Sequence, residues 1–251
     1  MFLFGEGVKA MAGNPKKSNF VSDKRFEEVS LEYLRTKTKI LKELGTKEIV
    51  KDRSRQVQGI DIICDIPRTF PKSFFKLKQK KVDIKACAKL IPTFCFEFAG
   101  NKTSKNKGWI ANSELLTDYY LLVYHEIENG SRSYTVNKAR ITVDNVIYTK
   151  ALLIKKAKIC KYINEYIKDV SYDYIITTIR EMSKDKKSIA RYQLDENGKI
   201  IEKRKDDNKI YFSVSKQLGE QPINIILRRE ELEKLAEHIW EVDKNGNSYL
   251  P

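Results

Sequence analysis

The chain has 251 residues, 41% hydrophobic and 33% charged, with a formal net charge of +14. That is the composition of a soluble globular protein with a heavily charged surface, long enough for one large core or two modest ones. It leaves no apolar run of membrane-spanning length, and cysteines at positions 64, 87, 95 and 160 have no paired spacing that would suggest a disulfide framework.

The charge is unevenly placed. From Pro67 to Trp109 the segment carries eleven Lys and Arg against two acids, Asp83 and Glu97. Such a field attracts polyanions, chiefly nucleic acid, and less readily an anionic membrane. Composition alone leaves this level with the plainer reading of a lysine-rich, well-solvated surface. Phe2-Leu3-Phe4, interrupted by Gly5-Glu6-Gly7, is too short for a secretory signal, so a reducing, cytoplasmic setting is expected.

In chain order, residues 1–22 mix Gly, Asn, Pro and Lys and are expected to be partly disordered. Asp23 to Leu44 has helical periodicity, with Phe26, Val29, Tyr33, Ile40, Leu41 and Leu44 on one face and Gly45 as the stop. Asp52 to Gln58 reads as a loop. Four short apolar segments follow as strands: Gln56–Ile63, Lys81–Ala86, Thr93–Phe98 and Asp118–Tyr124. A connection from Pro67 to Gln79 holds Phe70, Phe74 and Phe75 among lysines, and Trp109 to Thr117 suits a short helix. A hairpin turn at 128–131 leads into an alternating stretch to Val143. Ala151–Lys168 and Ser171–Met182 read as helices, Asp195–Gly198 as a hairpin turn, and Ile210–Val214 and Ile223–Leu227 as strands. A closing helix is expected from Glu230 to Trp240. The sum is one α/β domain over 23–251, a central mixed β-sheet flanked by helices with a helical and hairpin-rich C-terminal part.

Three of the four early strands carry a carboxylate where a core residue is expected. Side chains alternate along a strand, so Asp83 and Lys85 share one face. If Ile60, Ile62, Val82 and Ile84 pack on one core face, Asp61, Asp83 and Lys85 converge on the other, where Glu97 can join them. Carboxylates so placed suit a hard divalent cation, and Mg²⁺ takes few protein ligands beside water and phosphate. A neighbouring lysine can orient a water or neutralise charge on phosphorus. The plain alternative for Asp61 is a strand-edge carboxylate paired with a lysine, and for Glu97 a salt-bridge partner of Lys85. His125 and His238 have no acid or Cys at metal-ligand spacing and read as ordinary surface or partly buried residues. No Gly-rich phosphate loop and no Ser, His and acid set is present.

Gly59-Ile60-Asp61 followed by Asp83-Ile84-Lys85, on strands preceded by a helix, resembles the PD-(D/E)XK or restriction-endonuclease-like nuclease superfamily. The resemblance spans about residues 23–124; the catalytic core would run to about 148, with 149–251 as an elaboration. It departs at Ile60, where the family's name has Pro, and at Asp83, where Glu is more frequent. It implies a restriction-endonuclease-like core and a Mg²⁺- or Mn²⁺-dependent endonuclease of restriction or mobile-element type. Asp61, Asp83 and the carbonyl of Ile84 would hold the metal, and Lys85 would position the attacking water. A helix glutamate, Glu28 or Glu32, would complete the site. The implied partner is nucleic acid, DNA more than RNA, gripped by Lys76, Lys78, Lys80, Lys81, Lys102, Lys105 and Lys107. A homodimer would serve an enzyme cutting both strands. The rival reading is a non-catalytic nucleic-acid- or protein-binding module on the same fold.

Overall fold

The single helix expected over residues 23–44 is two, α1 (Phe20–Thr36) and α2 (Ile40–Glu43). The break is made by Thr38, whose hydroxyl donates to the Leu34 carbonyl at 2.7 Å and accepts from the Ile40 N–H at 3.2 Å, replacing backbone partners with side-chain ones. The inward face is as expected: Phe26, Tyr33, Ile40, Leu41 and Leu44 are buried. Gly45 ends the second helix at φ +64, a left-handed conformation that favours glycine. The structure, a computed structural model, describes residues 20–66, 79–100, 107–128, 140–184, 190–203, 209–216 and 221–249. The expected elements over 67–78 and 129–139, and the N-terminal segment before residue 20, lie outside these.

Downstream the order is β1 (Thr46–Ile49), α3 (Arg53–Val57), β2 (Ile62–Cys64), β3 (Lys80–Cys87), β4 (Thr93–Ala99), β5 (Tyr119–Ile127) and β6 (Val146–Lys155). Helices α4 (Lys156–Ile167) and α5 (Tyr172–Ser183) follow, then β7 (Arg191–Leu194), β8 (Ile200–Lys203), β9 (Ile210–Val214), β10 (Ile223–Arg228), α6 (Arg229–Leu235), β11 (His238–Asp243) and β12 (Ser248–Tyr249). Several expectations are corrected here. Residues 53–57 are helical because Asp52 caps them, its Oδ1 accepting from the Ser54 N–H at 2.8 Å. The first apolar strand therefore shrinks to Ile62–Cys64. Residues 151–155 belong to β6, all of them paired with β5 and 151–153 also with β11, instead of opening a helix. Residues 109–117 form turns with no helix, and the closing helix stops at Leu235 so that 238–243 can pair with β6. Ser171 caps α5 as expected, accepting from the Tyr174 N–H.

The strands make two sheets. The first is mixed, in the order β1-β2-β3-β5-β6-β11-β12, with β3 and β5 parallel. The second is antiparallel, in the order β4-β10-β9-β7-β8. The protein is thus α/β, with mixed and antiparallel sheets flanked by helices. A boundary at residue 148 would cut β6, and the later half of the chain supplies strands to both sheets.

Strands β5 and β6 are apolar on both faces because both faces are covered. Leu121, Val123, Ala151 and Leu153 pack toward α1 and α2, while Tyr120, Leu122, Tyr124, Leu152 and Ile154 pack toward the second sheet, α4 and α5. From the second sheet come Phe94, Phe96, Phe98, Phe212, Ile225 and Leu227. Each such side chain contributes about 1.5–3 kcal/mol on burial. His125 is fully buried, correcting its reading as a surface or partly buried residue. Its two ring nitrogens lie 2.8 Å from Ser30 Oγ of α1 and 2.8 Å from Thr149 Oγ1 of β6, and burial lowers its pKa to about 3. A neutral imidazole therefore ties α1 to the sheet. Among the described residues no helix is long and apolar enough to cross a membrane.

Candidate active site

Strand β2 is three residues long and β3 is eight, so β2 covers only the start of its neighbour. Pairing runs from Cys64 with Lys80 to Ile62 with Val82. Asp61, the next residue, continues the ladder in mixed fashion. Its N–H donates to the Val82 carbonyl at 3.0 Å, and its side-chain Oδ2 accepts the Ile84 N–H at 2.7 Å. The N–H and C=O of one strand residue point the same way, so the Ile84 carbonyl opens on this same edge.

The side chains then meet as alternation dictates. Ile60, Ile62, Val82 and Ile84 are buried, and Asp83 and Lys85 project from the other face of β3. Asp83, only 3% exposed, lies 2.9 Å through Oδ1 from Lys85 Nζ, and its charge acts on the Asp61 carboxyl. Asp61, Asp83 and Lys85 are therefore in one place. Lys85 Nζ also stands 5.6 Å from the ring centroid of Trp109.

The electrostatics follow from this crowding. Burial, and then the neighbouring Asp83 charge, push the Asp61 carboxyl up to about 8, against the opposing pull of Lys85 and the Ile84 N–H. Burial works against the charge on Lys85, but Asp83, Glu27 and Asp61 outweigh it and hold the ammonium well above its ordinary value. Lys85 is a firmly charged donor.

The loop before β2 is held by the segment before β5. Leu116 N–H donates to the Gln58 carbonyl, Thr117 Oγ1 to the Gly59 carbonyl at 2.8 Å, and Asp118 N–H to the Lys81 carbonyl. Gly59 sits at φ +75, and a Cβ there would collide with Thr117 Oγ1. Gly59→Ala is expected to destabilise the fold by about 2–3 kcal/mol through backbone strain and the lost hydrogen bond. This would be read as a lower urea midpoint at unchanged slope; a shift worth under about 0.5 kcal/mol would refute it.

No family model, curated protein or solved structure matches this chain.

Glu97 is not brought to the site. β4 pairs with β10 in the second sheet, and Phe94, Phe96 and Phe98 take its inner face, so alternation turns Glu97 away from Asp83. It lies instead beside Gly108, whose N–H donates to Phe98 O, with Glu97 O accepting from the Ile110 N–H. The helix glutamate that acts on Lys85 is Glu27, whereas Glu28 is exposed and Glu32 pairs with Arg35 at 2.8 Å on the surface. The signal was in the spacing: Glu27 shares a helical flank with Ser30, Leu31 and Leu34, all turned toward the sheet. Of the seven lysines expected on a backbone, Lys76, Lys78, Lys102 and Lys105 lie outside the described residues. Lys81 shares the strand face of Asp83 and Lys85, Lys80 stands 4.0 Å from Asp118, and Lys107 bridges to Ala99.

Among the described residues no set of three or more His, Cys, Asp or Glu is gathered as metal ligands. The fit of a divalent cation therefore rests on a pair. Burial and the Asp83 charge hold the Asp61 carboxyl well above the usual carboxylate range even though Lys85 already bridges Asp83, and the Ile84 carbonyl opens beside them. Two carboxylates and a carbonyl suit Mg²⁺, which keeps most of its shell as water and phosphate oxygens.

Proposed function

We propose that the protein is a metal-dependent nuclease hydrolysing phosphodiester bonds, an endodeoxyribonuclease with a restriction-endonuclease-like core. The observation that carries this reading is the convergence of Asp61, Asp83 and Lys85 at the edge where β2 stops covering β3. Asp61, Asp83 and the Ile84 carbonyl would hold Mg²⁺ or Mn²⁺, which when bound would supply Lewis-acid stabilisation to a phosphoryl oxygen. Lys85, fixed by Asp83 and kept charged, does not act as a base. Its ammonium donates hydrogen bonds, orienting a water for in-line attack or screening the charge that grows on phosphorus. Lys81 and Lys107 carry positive charge toward a phosphodiester backbone, in keeping with the +14 of the whole chain.

The test is divalent-dependent cleavage of a mixed-sequence DNA pool, chosen because one substrate could miss a sequence-specific enzyme. Glu27 offers a sharper check within it. Glu27→Gln removes one of the carboxylates that hold Lys85 charged and is expected to lower the cleavage rate about 10–100-fold. Glu28→Gln and Glu32→Gln are expected to stay within about twofold of the parent, since neither reaches the site. Equal effects from all three would remove Glu27 from the scheme.

A further inference from the structure

A cavity of about 700 Å³ opens between the 110–118 segment and α4, with Tyr172 among its lining residues. Its walls are of two kinds. Ile163 and Ile167 of α4 supply apolar surface, and Lys107, Lys156 and Lys168 bring three ammonium groups against one lining carboxylate, Asp118. That carboxylate is already engaged, accepting from the Lys81 N–H at 3.0 Å and standing 4.0 Å from Lys80. Lys156 is engaged as well, donating to the carbonyls of Asn112 and Leu115. The other two lysines differ. Among the described residues neither Lys107 nor Lys168 pairs with a carboxylate, and Lys107 lies 5.8 Å over the Tyr172 ring. Lys168 also sits at φ 55 just past α4, where glycine or asparagine is the usual residue, so a long cationic side chain stands at a strained position.

Apolar walls beside two lysines that no described carboxylate pairs fit a ligand that is part flat ring and part anion. The volume lies within the range of small-molecule sites and is ample for one nucleotide. We infer that this cavity binds a nucleotide unit, its base against Ile163 and Ile167 and its phosphate on Lys107 and Lys168. The unit has two sources: a free mononucleotide, or one residue of a nucleic-acid strand. Thr117 lines the cavity and also holds the Gly59 carbonyl, and the position of a Gly59 Cβ is 3.7 Å from Asp83 Oδ2, so the cavity adjoins the candidate active site. The strand source rests on the nuclease reading; the free-nucleotide source does not.

Calorimetric titration of the full chain with AMP and with CMP, and in a separate arm with a mixed 12-nucleotide single-stranded DNA, tests this. At least one arm is expected to show binding that Lys107→Ala combined with Lys168→Ala weakens about tenfold or more, with Asn164→Trp, an exposed change that fills the cavity, doing the same. Asp83→Asn is expected to leave that binding unchanged, so the cavity can stand even if cleavage is absent. Binding of AMP or CMP with this pattern assigns a free nucleotide; binding of the oligonucleotide alone assigns a strand subsite. Absence of binding in both arms, or binding indifferent to both cavity variants, overturns the inference.

Discussion

Asp83→Asn is expected to lower divalent-dependent DNA cleavage by about 10³-fold or more while leaving DNA affinity within about threefold. The substitution keeps the shape of the side chain and removes a negative charge buried at the centre of the site. On the nuclease reading it would take a ligand from the cation, and it takes the counter-charge from Lys85. Binding should not suffer, because the removed charge repels phosphate. The reaction would be followed on the mixed-sequence pool and the affinity by mobility shift under the same salt. Cleavage by the variant at the parental rate would end the hydrolytic proposal. A parent that binds the pool but cuts nothing with Mg²⁺ or Mn²⁺ would leave the non-catalytic module in its place. Lys85→Ala is a poorer control, since it leaves two buried carboxylates facing each other, and breaking a buried pair costs about 3–5 kcal/mol.

The second large effect is on stability and needs no substrate. The Asp61 carboxyl is raised in the folded chain from its ordinary 3.8 to about 8. Between those values the folded chain holds a proton that the unfolded chain has released, so stability falls as pH rises through the window. His125 has the opposite sign: its folded pKa lies near 3 against an ordinary 6.5, so its contribution is lost as pH falls below about 6.5. Above pH 7 the histidine titrates in neither state, and of these two groups only Asp61 remains. The metal-free protein is therefore expected to melt lower at pH 8.5 than at pH 7, and millimolar Mg²⁺ should recover the loss by replacing the proton. Relief of about 2 kcal/mol corresponds to roughly 4–8 °C for a chain of this size. Asp61→Asn should melt higher than the parent at pH 8.5 and show no recovery with Mg²⁺. A parental melting curve unmoved by Mg²⁺ at pH 8.5 would detach the Asp61–Asp83 pair from any cation.

The candidate site was more legible in the sequence than the fold around it. Two residues of alternation placed Asp83 and Lys85 on one side, and the apolar Ile60, Ile62, Val82 and Ile84 fixed which side was buried. That information is local. Glu97 was misplaced for the complementary reason: its strand has the right alternation, but sheet membership is decided by β10, whose residues 223–228 lie far along the chain. Local pattern also misjudged 151–155, where a run of Ala, Leu and Ile is equally at home in a helix or in a strand covered on both faces. The capped turn of helix after Asp52 is written in Asp52 and Ser54, and the break at Thr38 in that threonine, because these side chains compete for backbone hydrogen-bond partners.

The pairing of β4 with β10 bears on synthesis. Phe94, Phe96 and Phe98 leave the ribosome about 120 residues ahead of the strand that completes their sheet, a wait of roughly 6–24 s at ordinary elongation rates. Through that interval the edge of β4 that β10 will take stays open, beside three phenylalanines on one β-face. A chain truncated before residue 223 is therefore expected to aggregate in place of folding as a smaller protein.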